Sequence, residues 1–96
     1  MDKQIIHKAI QDSFDSLYNS EMISEKVEVT DDTVIIGRAS VLDSIAFITL
    51  FSELEDRLSE ASGKEIFLVL GDIHEFNSDK SSLGVNVLTD YILTII

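Results

Sequence analysis

The sequence predicts an all-α fold, a single helical bundle of 96 residues, and three stretches of helical spacing carry that prediction. Apolar residues recur every three to four positions in residues 5–17, 47–58 and 84–95, while glycine and clusters of Ser, Asn and Asp fall between them. A chain of this length buries on the order of 60 to 65% of the surface its unfolded form exposes, which suits one core and leaves no room for a second domain. With 45% hydrophobic residues, that core can be built.

Ile5, Ile6, Ala9, Ile10, Ser13, Phe14 and Leu17 set the first helix, from about residue 3 to residue 17, with Asp2 available as its cap. A long connection follows over residues 18–43, punctuated by Asn19, Ser20, the Asp31-Asp32 pair and Gly37. Within it Val27, Val29, Val34 and Ile36 alternate about Thr30-Asp31-Asp32-Thr33, a pattern open to two readings, a short β-hairpin or an irregular loop. An isolated hairpin is marginal without further support. The second helix starts at Ser44 and runs to about residue 61, closing at Ser62-Gly63-Lys64, where glycine can take the left-handed position. On its wheel Phe47, Leu50, Phe51, Leu54 and Leu58 share one face, and Ile45, Thr49, Ser52 and Asp56 share the other. The first face is core and the second a candidate docking surface.

Residues 65–70, rich in Ile, Phe, Leu and Val, read alone as a buried strand, although buried irregular chain has the same signature. Ser78-Asp79-Lys80-Ser81-Ser82 is a polar turn offering a cap to the last helix, whose apolar stripe is Gly84, Val87, Leu88, Tyr91, Ile92 and Ile95. The expected core is Ile6, Ile10, Phe14, Phe47, Leu50, Leu54, Leu58, Leu88 and Ile92.

Charge narrows the function classes. Seven basic against eighteen acidic residues give a net charge of −11, which repels nucleic acid and anionic membrane surfaces and favours basic partner proteins. There is no cysteine, so the chain needs no oxidising compartment and offers no thiolate of its own. Met1-Asp2-Lys3-Gln4 opens directly into an amphipathic pattern rather than a signal-peptide core, and no apolar run is long enough to span a bilayer. A cytoplasmic protein without membrane insertion is expected.

Most site chemistries fail on spacing. His7 and His74 have no metal-ligand spacing to each other or to a carboxylate pair, and solvated histidines are expected. Asp12-Ser13-Phe14-Asp15 begins like a calcium loop but lacks the glycine and closing glutamate, and Gly37-Arg38-Ala39-Ser40 lacks the glycines and lysine of a phosphate-binding loop. No nucleophile elbow or serine, histidine and acid set is present, so no catalytic residue is assigned and the chain is not expected to be an enzyme. Glu53, Glu55, Asp56 and Glu60 read as a solvated helix face that would steer basic partners.

What remains is Leu42-Asp43-Ser44-Ile45, running directly into the second helix. Asp43 or Ser44 can cap that helix, and a hydroxyl exposed beside the positive end of the helix dipole suits a phosphodiester. The Asp-Ser-Ile-x-x-Ile pattern resembles the Asp-Ser-Leu motif of acyl and peptidyl carrier proteins, and the order and spacing of residues 37–55 and 66–92 are similar to a carrier domain. The resemblance implies an acyl-carrier-like bundle of three main helices plus one short helix near residues 72–77, with a long loop between helices 1 and 2 anchored by Ile35 and Ile36. It also implies irregular chain at residues 65–70. In that family the motif serine, here Ser44, carries covalent 4′-phosphopantetheine drawn from coenzyme A, and the thiol of that group holds cargo as a thioester.

The implied roles are acceptor for Ser44, cap and transferase contact for Asp43, and docking for Ile45, Ile48, Thr49, Ser52, Glu55 and Asp56. The implied partners are a phosphopantetheinyl transferase, an acyl- or aminoacyl-loading enzyme and a downstream acyltransferase or synthase, engaged by a monomer. Departures from the family pattern are Ile45 for the usual leucine, Ala46 and Thr49 where fatty-acid carriers have acidic residues, and the bulky Phe47 and Phe51. These point to a specialised stand-alone carrier for polyketide, nonribosomal peptide, lipid or surface-polysaccharide chemistry, with D-alanyl carriers another relative by motif. A reading of a different class is a small acidic helical interaction module, an adaptor or inhibitor docking through Ile45 and Ile48 without a prosthetic group.

Overall fold

The computed structural model describes residues 2–36, 42–76 and 83–95. The expectations for Gly37, for the segment 37–40, for Asn77 and for the polar turn at 78–82 lie outside the described residues, as do those resting on the side chains of Ile36 and His74.

Helix α1 spans Lys3–Asn19 and α2 spans Ser44–Ser62, each two residues or fewer beyond the expected end. Both start on an aspartate. Asp2 Oδ1 accepts from Ile5 N–H at 3.1 Å, and Asp43 Oδ1 accepts from Ala46 N–H at 2.7 Å, satisfying donors that the first helical turn leaves open. Both also end in the left-handed region. After α1, Glu21 has φ +62°, its N–H bonds Tyr18 O at 3.1 Å and the Met22 N–H bonds Leu17 O at 2.9 Å, the paired bonds of a Schellman ending. After α2, Gly63 has φ +71° and bonds Ser59 O at 3.0 Å.

Helices α1 and α2 pack against each other along their apolar stripes, with Ile6, Ile10, Phe14 and Leu17 facing Leu50, Leu54 and Leu58, all fully buried. The expected face of α2 is slightly rotated. Ala46 is fully buried, whereas Phe47 is only partly buried and stacks on Phe51 with ring centroids 4.6 Å apart. The carboxylate of Glu53, expected in solvent, is turned into the helix pair, where Ser16 Oγ donates to Oε1 at 2.8 Å and Oε2 is buried. A helix–helix seam three to four residues wide takes in such flanking positions.

Short helix α3, Leu70–Phe76, and final helix α4, Val85–Ile95, are the other helices among the described residues. Phe76 meets Tyr91 edge to face at 5.7 Å, joining α3 to α4. Burial, with Asp72 nearby, raises the Tyr91 phenol above its ordinary pKa of 10.0.

The fold is mainly helical but not wholly so. Strand β1, Val34–Ile36, pairs antiparallel with β2, Leu83–Gly84, aligning Val34 with Gly84 and Ile36 with Leu83 across an irregularity. The hairpin therefore does not describe the long connection, and the irregular loop describes it only up to residue 33. Thr33 N–H does close a turn on Thr30 O at 3.1 Å, but residues 34–36 turn to β2 for a partner rather than to residues 27–29. Gly84, expected in the last helical stripe, lies in β2, and Ile95 from that stripe is exposed. Helix α4 starts one residue later, its Val85 and Asn86 N–H groups donating to Thr33 O at 2.9 Å and Asp31 O at 3.2 Å. Backbone carbonyls of the long connection thus cap α4, and Ile35 beneath them is fully buried.

Candidate functional site

The start of α2 gathers the candidate residues. Because Asp43 is the cap, Ser44 becomes the first helical residue, exposed, with its hydroxyl making no hydrogen bond among the described residues. The N–H groups of Ser44 and Ile45 are likewise unpaired there, whereas those of Ala46 and Phe47 are taken by the side chain and carbonyl of Asp43. An exposed hydroxyl thus sits beside free donors at the positive end of a 19-residue helix.

From Ser44 the exposed face runs down the helix. Ile45 is 70% exposed and Ile48 67%, an uncommon pair of large apolar side chains in open solvent. Thr49 is half-buried and its Oγ1 donates to Ile45 O at 2.9 Å, so this hydroxyl is spent within the helix. Ser52 and Asp56 are exposed on the same face. Glu55 stands at its margin, half-buried, with Oε2 accepting from Leu68 N–H at 2.8 Å. The carboxylate that the spacing marked for docking therefore holds the chain that follows α2.

That following chain adds residues the spacing did not mark. Phe67 is 62% exposed and Val69 49%, on a segment tied to α2 through Glu55 and through Ser59, whose Oγ accepts from Ile66 N–H at 2.8 Å. Their signal was an apolar run with no polar alternation, which reads as wholly buried.

Electrostatically the charged side chains of α2 are mainly acidic. The described Lys–carboxylate ion pairs, Lys3–Asp90 at 4.0 Å and Lys8–Asp12 at 3.3 Å, both start from α1, and no described Lys or Arg pairs with a carboxylate of α2. Among the described residues no group of three or more His, Asp or Glu could hold a metal ion, and no helix is long and apolar enough to cross a membrane.

No protein-family model matches the chain, and neither a curated protein nor a solved structure matches it.

Proposed function

We propose that the chain is a carrier protein whose Ser44 accepts 4′-phosphopantetheine and whose α2 face presents the loaded arm to partner enzymes. The observation that carries this reading is the placement of Ser44: first residue of α2, exposed, its hydroxyl without a partner among the described residues, and directly after the aspartate that caps the helix. The residues present fit the group. Ser44 supplies an accessible oxygen nucleophile, and the N–H groups of Ser44 and Ile45, unpaired among the described residues, offer donors to an anionic phosphate ester at the helix end.

The chain's own part in attachment is limited to presentation. Ser44 Oγ forms the new bond to phosphorus, its proton leaves to a base of the transferase, and the pyrophosphate bond of coenzyme A breaks with the nucleotide departing. Asp43 fixes the backbone so that Ser44 faces outward. When bound, the group supplies a terminal thiol that holds an acyl or aminoacyl cargo as a thioester. Ile45 and Ile48 then give a partner apolar area next to the attachment point, while Ser52 and Asp56 give it a polar margin.

The same exposed isoleucines also suit the alternative of an unmodified adaptor or inhibitor, and one experiment separates the two. Incubation with coenzyme A and a broad-specificity phosphopantetheinyl transferase, read by intact mass, should add a single phosphopantetheinyl increment, absent from Ser44→Ala while its helical circular dichroism is retained. An unmodified wild-type chain across several transferases, or a modified Ser44→Ala chain, overturns the carrier reading and leaves the adaptor.

A further inference from the structure

We infer that residues 65–69 form an open backbone edge that receives an extended, basic segment of a partner protein as an added strand. This holds whether or not Ser44 is modified.

The segment belongs to no helix or ladder, yet it has the geometry of a strand. Ile66 and Leu68 are buried while Phe67 and Val69 are exposed, a period of two. Its attachments to α2 agree. Ile66 N–H donates to Ser59 and Leu68 N–H to Glu55, and these acceptors are four residues apart on the helix. Four helical residues advance about 6 Å, and two extended residues span about 6.6 Å. The chain after Gly63 therefore runs back along α2, extended and antiparallel to it.

In an extended chain the N–H and C=O groups of alternate residues point to opposite edges. The edge of Ile66 and Leu68 is turned to α2, so Phe67 turns its N–H and C=O to the other side. Neither has a hydrogen-bond partner among the described residues. Val69 N–H is also free, while its C=O accepts from Ile73 N–H at 3.0 Å as α3 begins. An unpaired edge beside two exposed apolar side chains is a template for another strand, whose own apolar residues would pair with Phe67 and Val69 across the ladder.

Charge selects the occupant. Glu65, Asp72 and Glu75 are exposed on and just beyond the segment, with Lys64 at its start as the exposed cation beside them. A second copy of this chain, at net charge −11, would bring the same carboxylates against themselves. A segment alternating apolar residues with Lys or Arg is attracted by them and satisfies the edge.

The test uses the full chain, labelled with ¹⁵N, and the peptide Lys-Val-Lys-Val-Lys-Val-Lys as probe. The expected result is resonance shifts at residues 65–69, about tenfold slower exchange of the Phe67 and Val69 amides, and binding that weakens as salt rises. A peptide of the same sequence methylated at every inner amide nitrogen keeps the charge and side chains but cannot build a ladder, and should not bind. Phe67→Pro, which removes the outward N–H, should lose binding with helical content intact. The methylated peptide keeps the proposal open to refutation if that variant fails to fold. Equal binding of the two peptides, shifts confined to Ile45 and Ile48, or no protection at millimolar peptide overturns it. So does a concentration-dependent dimer abolished by Phe67→Lys, which would give the edge to a second copy.

Discussion

Residues 27–29 and residues 66–68, on either side of α2 in the chain, both turn alternate apolar side chains toward the core, and in both the backbone groups of those alternate residues bond helix side chains. At 27–29 one amide meets both needs. Gln11 of α1 donates through Nε2 to Val27 O at 2.8 Å and accepts through Oε1 from Val29 N–H at 2.8 Å, imitating the face of a neighbouring strand. At 66–68 the partners are acceptors only, Ser59 and Glu55, each taking one N–H. The apolar residues differ too. Val27 and Val29 are half-buried against the core, whereas Ile66 and Leu68 are within it. The first segment is thus held mainly by its polar clamp and the second mainly by burial, so one alternation of inward and outward side chains yields two kinds of stability.

The largest effect should come from burial. Ile66→Ala is expected to cost about 2 to 4 kcal/mol in denaturant unfolding, since it leaves a cavity as well as losing transfer energy, while Val27→Ala should cost about 1 kcal/mol. Equal losses would erase the distinction. The clamp comes next. Gln11→Ala orphans the Val27 carbonyl and the Val29 N–H together, and should cost about 2 kcal/mol with faster amide exchange at Val29.

Glu55 is a weaker hold because Ile66 and Leu68 remain buried without it. Glu55→Ala should cost about 1 kcal/mol and speed exchange at Leu68, whereas Glu55→Gln, which keeps an acceptor oxygen, should cost less than about 0.5 kcal/mol. If the glutamine variant matched the alanine one, the bond to Leu68 would not be what Glu55 contributes.

Effects no larger than that of Glu55→Ala lie where the two connections begin. Both leave their helix through a left-handed residue, glutamate at position 21 and glycine at position 63. Glu21→Gly should therefore stabilise by about 0.5 to 1 kcal/mol and Gly63→Ala should destabilise by about the same amount. A Cβ at Gly63 meets nothing within 4 Å, so the second cost is one of backbone conformation alone. Opposite signs in the two melting shifts are the diagnostic outcome.

Much of the candidate site was readable in residue order. Asp43 before Ser44, then the wheel of α2, was enough to put the hydroxyl at the helix mouth and Ile45 and Ile48 in solvent. The role of Glu55 was not readable, because on the wheel it is an ordinary flanking acid and its partner lies 13 residues on, placed by the return of the chain along α2. Glu53 was misplaced for the same reason, its partner Ser16 being on another helix. Phe67 and Val69 were hidden inside an apolar run, where a count of hydrophobic residues has no way to tell a half-buried extended segment from a buried one.

By itself the sequence determined where α1 and α2 begin to within a residue, with Asp2 and either Asp43 or Ser44 as caps, and most of the face each buries, because capping and helical period act within a turn or two of chain. Only the tertiary structure decided what the extended stretches bond to. Val34 pairs with Gly84 rather than across the turn at 30–33, Gln11 reaches 16 and 18 residues ahead to Val27 and Val29, and carbonyls of Asp31 and Thr33 cap α4. A backbone N–H or C=O needs a partner wherever it is buried, but any donor or acceptor of suitable geometry will serve, and which one arrives depends on how the helices pack.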